Sequence, residues 1–179
     1  MKQSELQIEL NKFRDYVISQ ARANLTRGGK NVSNSLYNSL KGNVKAMPNS
    51  FIMDFSMEEY GFYQDQGVKG KKSSSKAPSS PFKFGSGKGP KGGLTSGINN
   101  WVRKKRFQFS DKKTGKFLSY DSTAFLITRS IYNKGIAPSL FFTTPFNKAF
   151  KNLPDDLVKA YGLDAMKLFN TVTKTKQIK

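Results

Sequence analysis

Asp54, Glu58, Glu59 and Asp65 form the densest acidic cluster of the sequence. Carboxylates converging on Mg²⁺ beside a lysine would make a two-metal nuclease, and a basic, DNA-gripping segment follows directly downstream. The Glu-x-Lys pairing such a centre uses is missing, and Asp54 falls on the polar side of a predicted strand. The cluster therefore reads as solvated surface, or as salt-bridge partners for the basic segment. Asp155 and Asp156 follow Pro154 and read as first-turn helix residues that complement the helix dipole, not as an acid pair.

Two glycine patterns suggest phosphate binding and fail on context. Gly87, Gly89 and Gly92 match G-x-G-x-x-G, but Pro90 and Lys91 stand where a dinucleotide-binding helix would have to open. Gly70-Lys71, Gly87-Lys88 and Gly115-Lys116 are not followed by the Ser or Thr of a P-loop. The chain has neither Cys nor His. Zinc, haem and iron–sulfur sites lose their usual ligands, and every Cys- or His-based nucleophilic dyad or triad is excluded. The expectation is a protein without catalytic function, metal or cofactor.

The charge points to binding instead. The 179 residues carry 31 Lys and Arg against 12 Asp and Glu, a net charge of +19. Residues 1–66 are nearly balanced, with 8 basic against 7 acidic side chains, whereas residues 67–116 hold 14 against 1. A field so localised attracts phosphate or an acidic protein surface; the plainer reading is a solvated loop. Lys69, Lys71, Lys72, Lys76, Lys83, Lys88, Lys91, Arg103, Lys104, Lys105 and Arg106 are its candidate contact residues. Tyr60, Phe62, Tyr63, Trp101, Phe107 and Phe109 flank it. Aromatics among cations can stack on single-stranded bases, and they serve equally in a core or a subunit contact.

The elements that would position these residues read as follows. Leu6, Leu10, Phe13, Val17 and Ala21 share one face of a helix that ends near Gly28–Gly29. A second helix is expected from Ser33, as N-cap, to Lys41, burying Leu36 and Leu40. From Ser50 to Met57 apolar and polar residues alternate, with Phe51, Met53, Phe55 and Met57 on one side, and Val44–Met47 is the expected hairpin partner across Pro48–Asn49. Residues 67–97 contain eight Gly and three Pro and no apolar period, which predicts an extended arm ordered only by a partner. A helix over Ile98–Phe107 turns Ile98 and Trp101 inward, with Val102 and the Lys105 stem as further candidates for that face, and Asp111–Gly115 is a turn. Asp121 is the expected N-cap of a helix carrying Phe125, Leu126 and Ile131 and closed by Gly135. Leu140-Phe141-Phe142 is a strand or docking segment, and helices resume after Pro145 and Pro154. The whole is an α+β domain, a small antiparallel sheet packed against helices. Residues 1–66 give its N-terminal helices and first strands, 67–97 the basic arm, and 98–179 the remainder. No signal peptide or membrane span is visible, so synthesis and retention in a cytoplasm, or incorporation into a particle assembled there, is expected.

Y-G-F-Y-Q-D-Q-G-V-K-G from Tyr60, a Pro/Gly/Lys-rich loop, I-N-N-W-V-R-K-K-R-F and then A-F-L-I-T-R-S-I-Y-N-K-G-I-A-P-S-L-F-F occur in that order. The arrangement resembles the bacteriophage tail-completion, or neck, family of head–tail joining proteins. The resemblance implies an α+β fold and a homo-oligomeric ring between portal or adaptor and tail tube or hub. The ring would surround packaged DNA, within the virion and away from membranes. It also implies that Tyr60, Tyr63 and Gly67 open the loop, that Trp101 packs its exit helix, and that Arg129, Gly135, Pro138 and Phe142 belong to the helix-to-strand segment. The competing class is a stand-alone basic nucleic-acid-binding protein.

Overall fold

The computed structural model describes residues 5–30, 33–47, 50–86, 93–160 and 162–163. It is an α+β fold, with two two-stranded antiparallel sheets and mainly helical structure around them. Instead of one domain with an arm, the chain forms two compact units, residues 1–58 with 141–179, and residues 59–140. No helix among the described residues is long and apolar enough to cross a membrane.

The first unit is organised by α1 (Glu5–Arg27), whose buried stripe is Leu10, Phe13, Val17, Ala21 and Leu25. The helix stops where expected. Gly29, at φ +64°, takes the left-handed position that glycine occupies without a Cβ penalty. The Lys30 amide then donates to the Leu25 carbonyl at 3.0 Å and the Gly29 amide to Thr26 at 3.0 Å, the paired bonds of a Schellman cap. α2 (Ser35–Ser39) is shorter than expected and begins after Asn34, not Ser33. Leu36 and Leu40 are buried as anticipated. The helix ends early because Leu40 turns extended and Lys41 already begins the hairpin. Arg22 supports that exit, donating to the Tyr37 and Leu40 carbonyls at 3.1 and 3.0 Å.

β1 (Lys41–Met47) and β2 (Ser50–Ser56) pair from Lys41↔Ser56 to Met47↔Ser50. The Pro48–Asn49 turn expected between them lies outside the described residues. The Gln7 side chain accepts from the Ala46 amide at 2.8 Å and donates to the Val44 carbonyl at 3.2 Å, so α1 satisfies part of β1's free edge. Met53 and Phe55 turn inward as the alternation predicts, while Phe51 near the hairpin end is exposed. Leu140-Phe141-Phe142 is no strand: Phe141 is fully buried beside Leu25 and Leu40, and the chain passes straight into α6 (Thr143–Phe150). Phe13, Phe55, Phe142 and Phe146 meet mostly edge to face at 5.3–6.3 Å, an aromatic core closed by Leu153 from the helix over residues 153–160.

The second unit contains α3 (Tyr60–Gln66), β3 (Val68–Lys69), α4 (Gly93–Lys105), α5 (Tyr120–Lys134) and β4 (Gly135–Ile136), with β3 antiparallel to β4. α3 was not expected from the sequence. The N-cap of α5 lies two residues before the Asp121 anticipated: Ser119 caps it, its hydroxyl accepting from the Ser122 amide at 3.1 Å. Phe125 and Leu126, apolar residues of the predicted helix, face outward, and the buried face of α5 is made of the small residues Thr123 and Ala124. α4 and α5 pack directly on each other, and small side chains allow that close approach.

Candidate functional site

The basic segment departs most from its sequence reading. Far from a loose arm, residues 67–86 are folded onto the β3–β4 pair. Lys69 donates to Phe82 and accepts from Phe84, both at 2.9 Å, and its neighbours Lys71 and Lys72 donate to Tyr132 and Asn133 at the end of α5, at 2.8 and 3.1 Å. Ser80 is buried; its hydroxyl donates to the Gly67 carbonyl at 2.7 Å and accepts from the Phe82 amide at 3.1 Å. The glycines make this closeness possible. A Cβ at Gly67 would lie 2.6 Å from the Ile136 carbonyl oxygen, one at Gly135 would strike the Val68 carbonyl, and one at Gly70 the Asn133 carbonyl. Glycine density here serves close approach of backbones, a role composition alone cannot distinguish from disorder.

On this frame Lys71, Lys72, Lys76 and Lys83 are exposed and Lys69 is half-buried. Lys71 leans over the Tyr132 ring at 5.8 Å. Lys72, Lys76 and Lys83 meet no carboxylate among the described residues. Lys88 and Lys91, with the G-x-G-x-x-G match, lie outside the described residues. Across residues 59–140 the sequence has 16 Lys and Arg against 4 Asp and Glu, so this unit carries most of the chain's unbalanced charge.

The second cluster of cations closes α4. Arg103 is engaged at the surface of its own unit: it donates to Asn99 at 2.7 Å and to Asp121 at 2.8 Å, and lies over the Tyr120 ring at 5.6 Å. Hydrogen bonds from Asn99, then Arg103 and its charge, hold the Asp121 carboxyl below its ordinary range. Lys104, Lys105 and Arg106 stay exposed. Arg106 sits at φ +51°, where an L-residue costs about 1–2 kcal/mol. It occupies the glycine position of a second Schellman cap, with Phe107 donating to Val102 at 2.9 Å and Arg106 to Arg103 at 3.2 Å.

That turn sends Phe107 back to Trp101, with ring centres 6.0 Å apart, and Phe109 meets Phe107 edge to face at 5.3 Å. Trp101 was expected inward; Val102 is the buried residue, and Trp101 remains 37% exposed. The segment after the turn is held by Phe109 donating to the buried Thr123 hydroxyl at 3.3 Å and accepting from Leu118 at 2.8 Å. The Asp111 turn beyond it is as expected. Amides of Thr114 and Lys113, then the Thr114 hydroxyl, donate to Asp111 and hold its carboxyl below the usual value.

The residues singled out by resemblance divide. Gly67, Gly135 and Pro138 come together at the β3–β4 pair, and Tyr63 packs on Phe82, which hydrogen-bonds that pair, at 4.7 Å. Tyr60 and Arg129 are exposed and join no cluster there, and Trp101 belongs to the α4 cluster. Phe142 lies in the aromatic core of the other unit, because the chain crosses into it at Phe141. The acidic residues do not assemble: Asp54 is exposed and bonded by Asn43 at 3.1 Å, while Asp65 is buried in α3 beside Gln66. No group of three or more acidic side chains able to hold a metal occurs among the described residues. Sequence reasoning missed Asn99 and Thr123, whose roles depend on pairings that no local pattern announces. No family model matches the chain, and no curated protein or solved structure matches it significantly.

Proposed function

We propose that the chain is a non-catalytic structural protein of a bacteriophage head–tail junction. It closes into a ring of identical subunits that joins portal or adaptor to tail around the DNA channel, and it resides in the virion. The observation that carries this reading is convergence: Tyr63, Gly67, Gly135 and Pro138, marked by the ordered resemblance, are far apart in sequence yet serve one folded node. The cations displayed from that node suit a polyanionic neighbour, either DNA phosphate or an acidic ring. Exposed Tyr60, Phe62, Phe125 and Leu126 offer apolar surface for the heterologous contacts that a ring requires.

Replacing Lys72, Lys76 and Lys83 with Ser tests the reading in particle assembly. Exposed side chains away from packing change stability by about 0.5 kcal/mol or less, so thermal unfolding stays as in the wild type. Electron micrographs should show unjoined heads and tails, and wild-type joining should weaken as salt rises. Normal yields of joined particles from the folded triple variant would contradict it.

A further inference from the structure

Trp101, Phe107 and Phe109 lie side by side at the surface, 37%, 40% and 38% exposed, on a backbone fixed to α5 through Thr123. Rings in a protein this polar are ordinarily drawn into a core, as Phe13, Phe55, Phe142 and Phe146 are in the first unit. Here the chain instead accepts a left-handed arginine so that Phe107 doubles back beside Trp101 at the surface, with the unpaired Lys104, Lys105 and Arg106 next to it. Backbone strain held at an exposed aromatic cluster, with a row of cations alongside, matches the two needs of an unpaired nucleic-acid strand. Each base presents a π-face for stacking and each phosphate a charge.

We infer that the Trp101–Phe107–Phe109 surface binds single-stranded DNA, stacking unpaired bases on its rings while Lys104, Lys105 and Arg106 hold the phosphates. The choice of DNA over RNA rests on the junction reading; the stacking mode does not. Duplex DNA, its bases already stacked, would use the cations and leave the rings without a role.

Trp101 is the only tryptophan of the chain, so its emission reports this surface directly. The full-length protein is titrated with a thymidine oligonucleotide, with inorganic polyphosphate of matched charge, with duplex DNA and with the matching uridine oligonucleotide. Thymidine oligonucleotide should quench Trp101 saturably, whereas polyphosphate and duplex should bind, if at all, with little quenching. Phe107→Leu keeps an apolar side chain without a π-face and should weaken thymidine oligonucleotide binding at least about fivefold, whereas Phe107→Tyr should restore it. Arg106→Gly relieves the left-handed strain, so it should stay folded while losing part of the salt dependence. Equal quenching by polyphosphate or duplex overturns the inference. So does folded Phe107→Leu binding as the wild type does. Tighter binding of the uridine oligonucleotide overturns the assignment to DNA. Ring closure is measured separately, by mass, so the two proposals fail independently.

Discussion

The two units use the same aromatic-rich sequence in opposite ways. Among the described residues the first unit buries ten apolar side chains, Phe13 and Phe141 with them, whereas the second buries only Val68, Ala77, Val102 and Ala124. The first is a hydrophobic construction, α1's stripe and the hairpin closing on interlocking rings. The second is held by backbone hydrogen bonds, glycines at close quarters and a few polar anchors such as Ser80 and Thr123. What it does not bury it displays: Trp101, Phe107, Phe109 and Phe125 are exposed, and most of the protein's unbalanced charge lies with them. Exposed rings among unbalanced cations are surface open to a partner of complementary chemistry.

If the contrast is real, the two units break in different ways. Phe13→Ala should have the largest effect, about 3–5 kcal/mol in denaturant unfolding, because it empties the centre of the aromatic core. Gly135→Ala should come next. It combines a φ of +85° with a Cβ lying 2.7 Å from the Gly70 amide nitrogen, so β3 and β4 must part. A loss of about 2–3 kcal/mol is expected, together with faster amide exchange at Lys69 and Lys71 while the α1 amides stay protected. An equal rise in exchange across α1 would show that the units are not separate in stability. The smallest effect is on pH. Asp111 and Asp121 titrate below their ordinary values in the folded state, so their contribution is present above about pH 4 and is lost as pH falls through the depressed folded values. Both are solvent-exposed, so the acid loss should be slight, confined to the second unit's amides and reduced by salt.

The same contrast explains what was legible in the sequence. α1 and the hairpin could be read because burial writes periodicity: Leu10 to Ala21 at helical spacing, Met53 and Phe55 at strand spacing. In the second unit the apolar signal misleads, because Phe125 and Leu126 mark an outward face and the packed face consists of Thr123 and Ala124. Trp101 and Val102 are adjacent, and either could continue a stripe from Ile98; which one turns inward is decided by packing, not by spacing. Ser119 and Asp121 are both good caps, and Ser119 takes the role while Asp121 is engaged by Asn99 and Arg103. The glycines of residues 67–86 carried the right residues and the wrong inference, since Gly67 and Gly70 meet residues 133–138, far along the chain. The candidate cations were found from composition alone; the pairing of Arg103 with Asp121 was not.

The central claim, closure of this chain into a ring, is tested most directly by the native mass of the purified protein. At low salt the account predicts one discrete multiple of the 20.1 kDa subunit, unchanged in stoichiometry over a wide concentration range, as a closed ring requires. A 20.1 kDa species at every concentration, or an open series of masses without a preferred size, would contradict it.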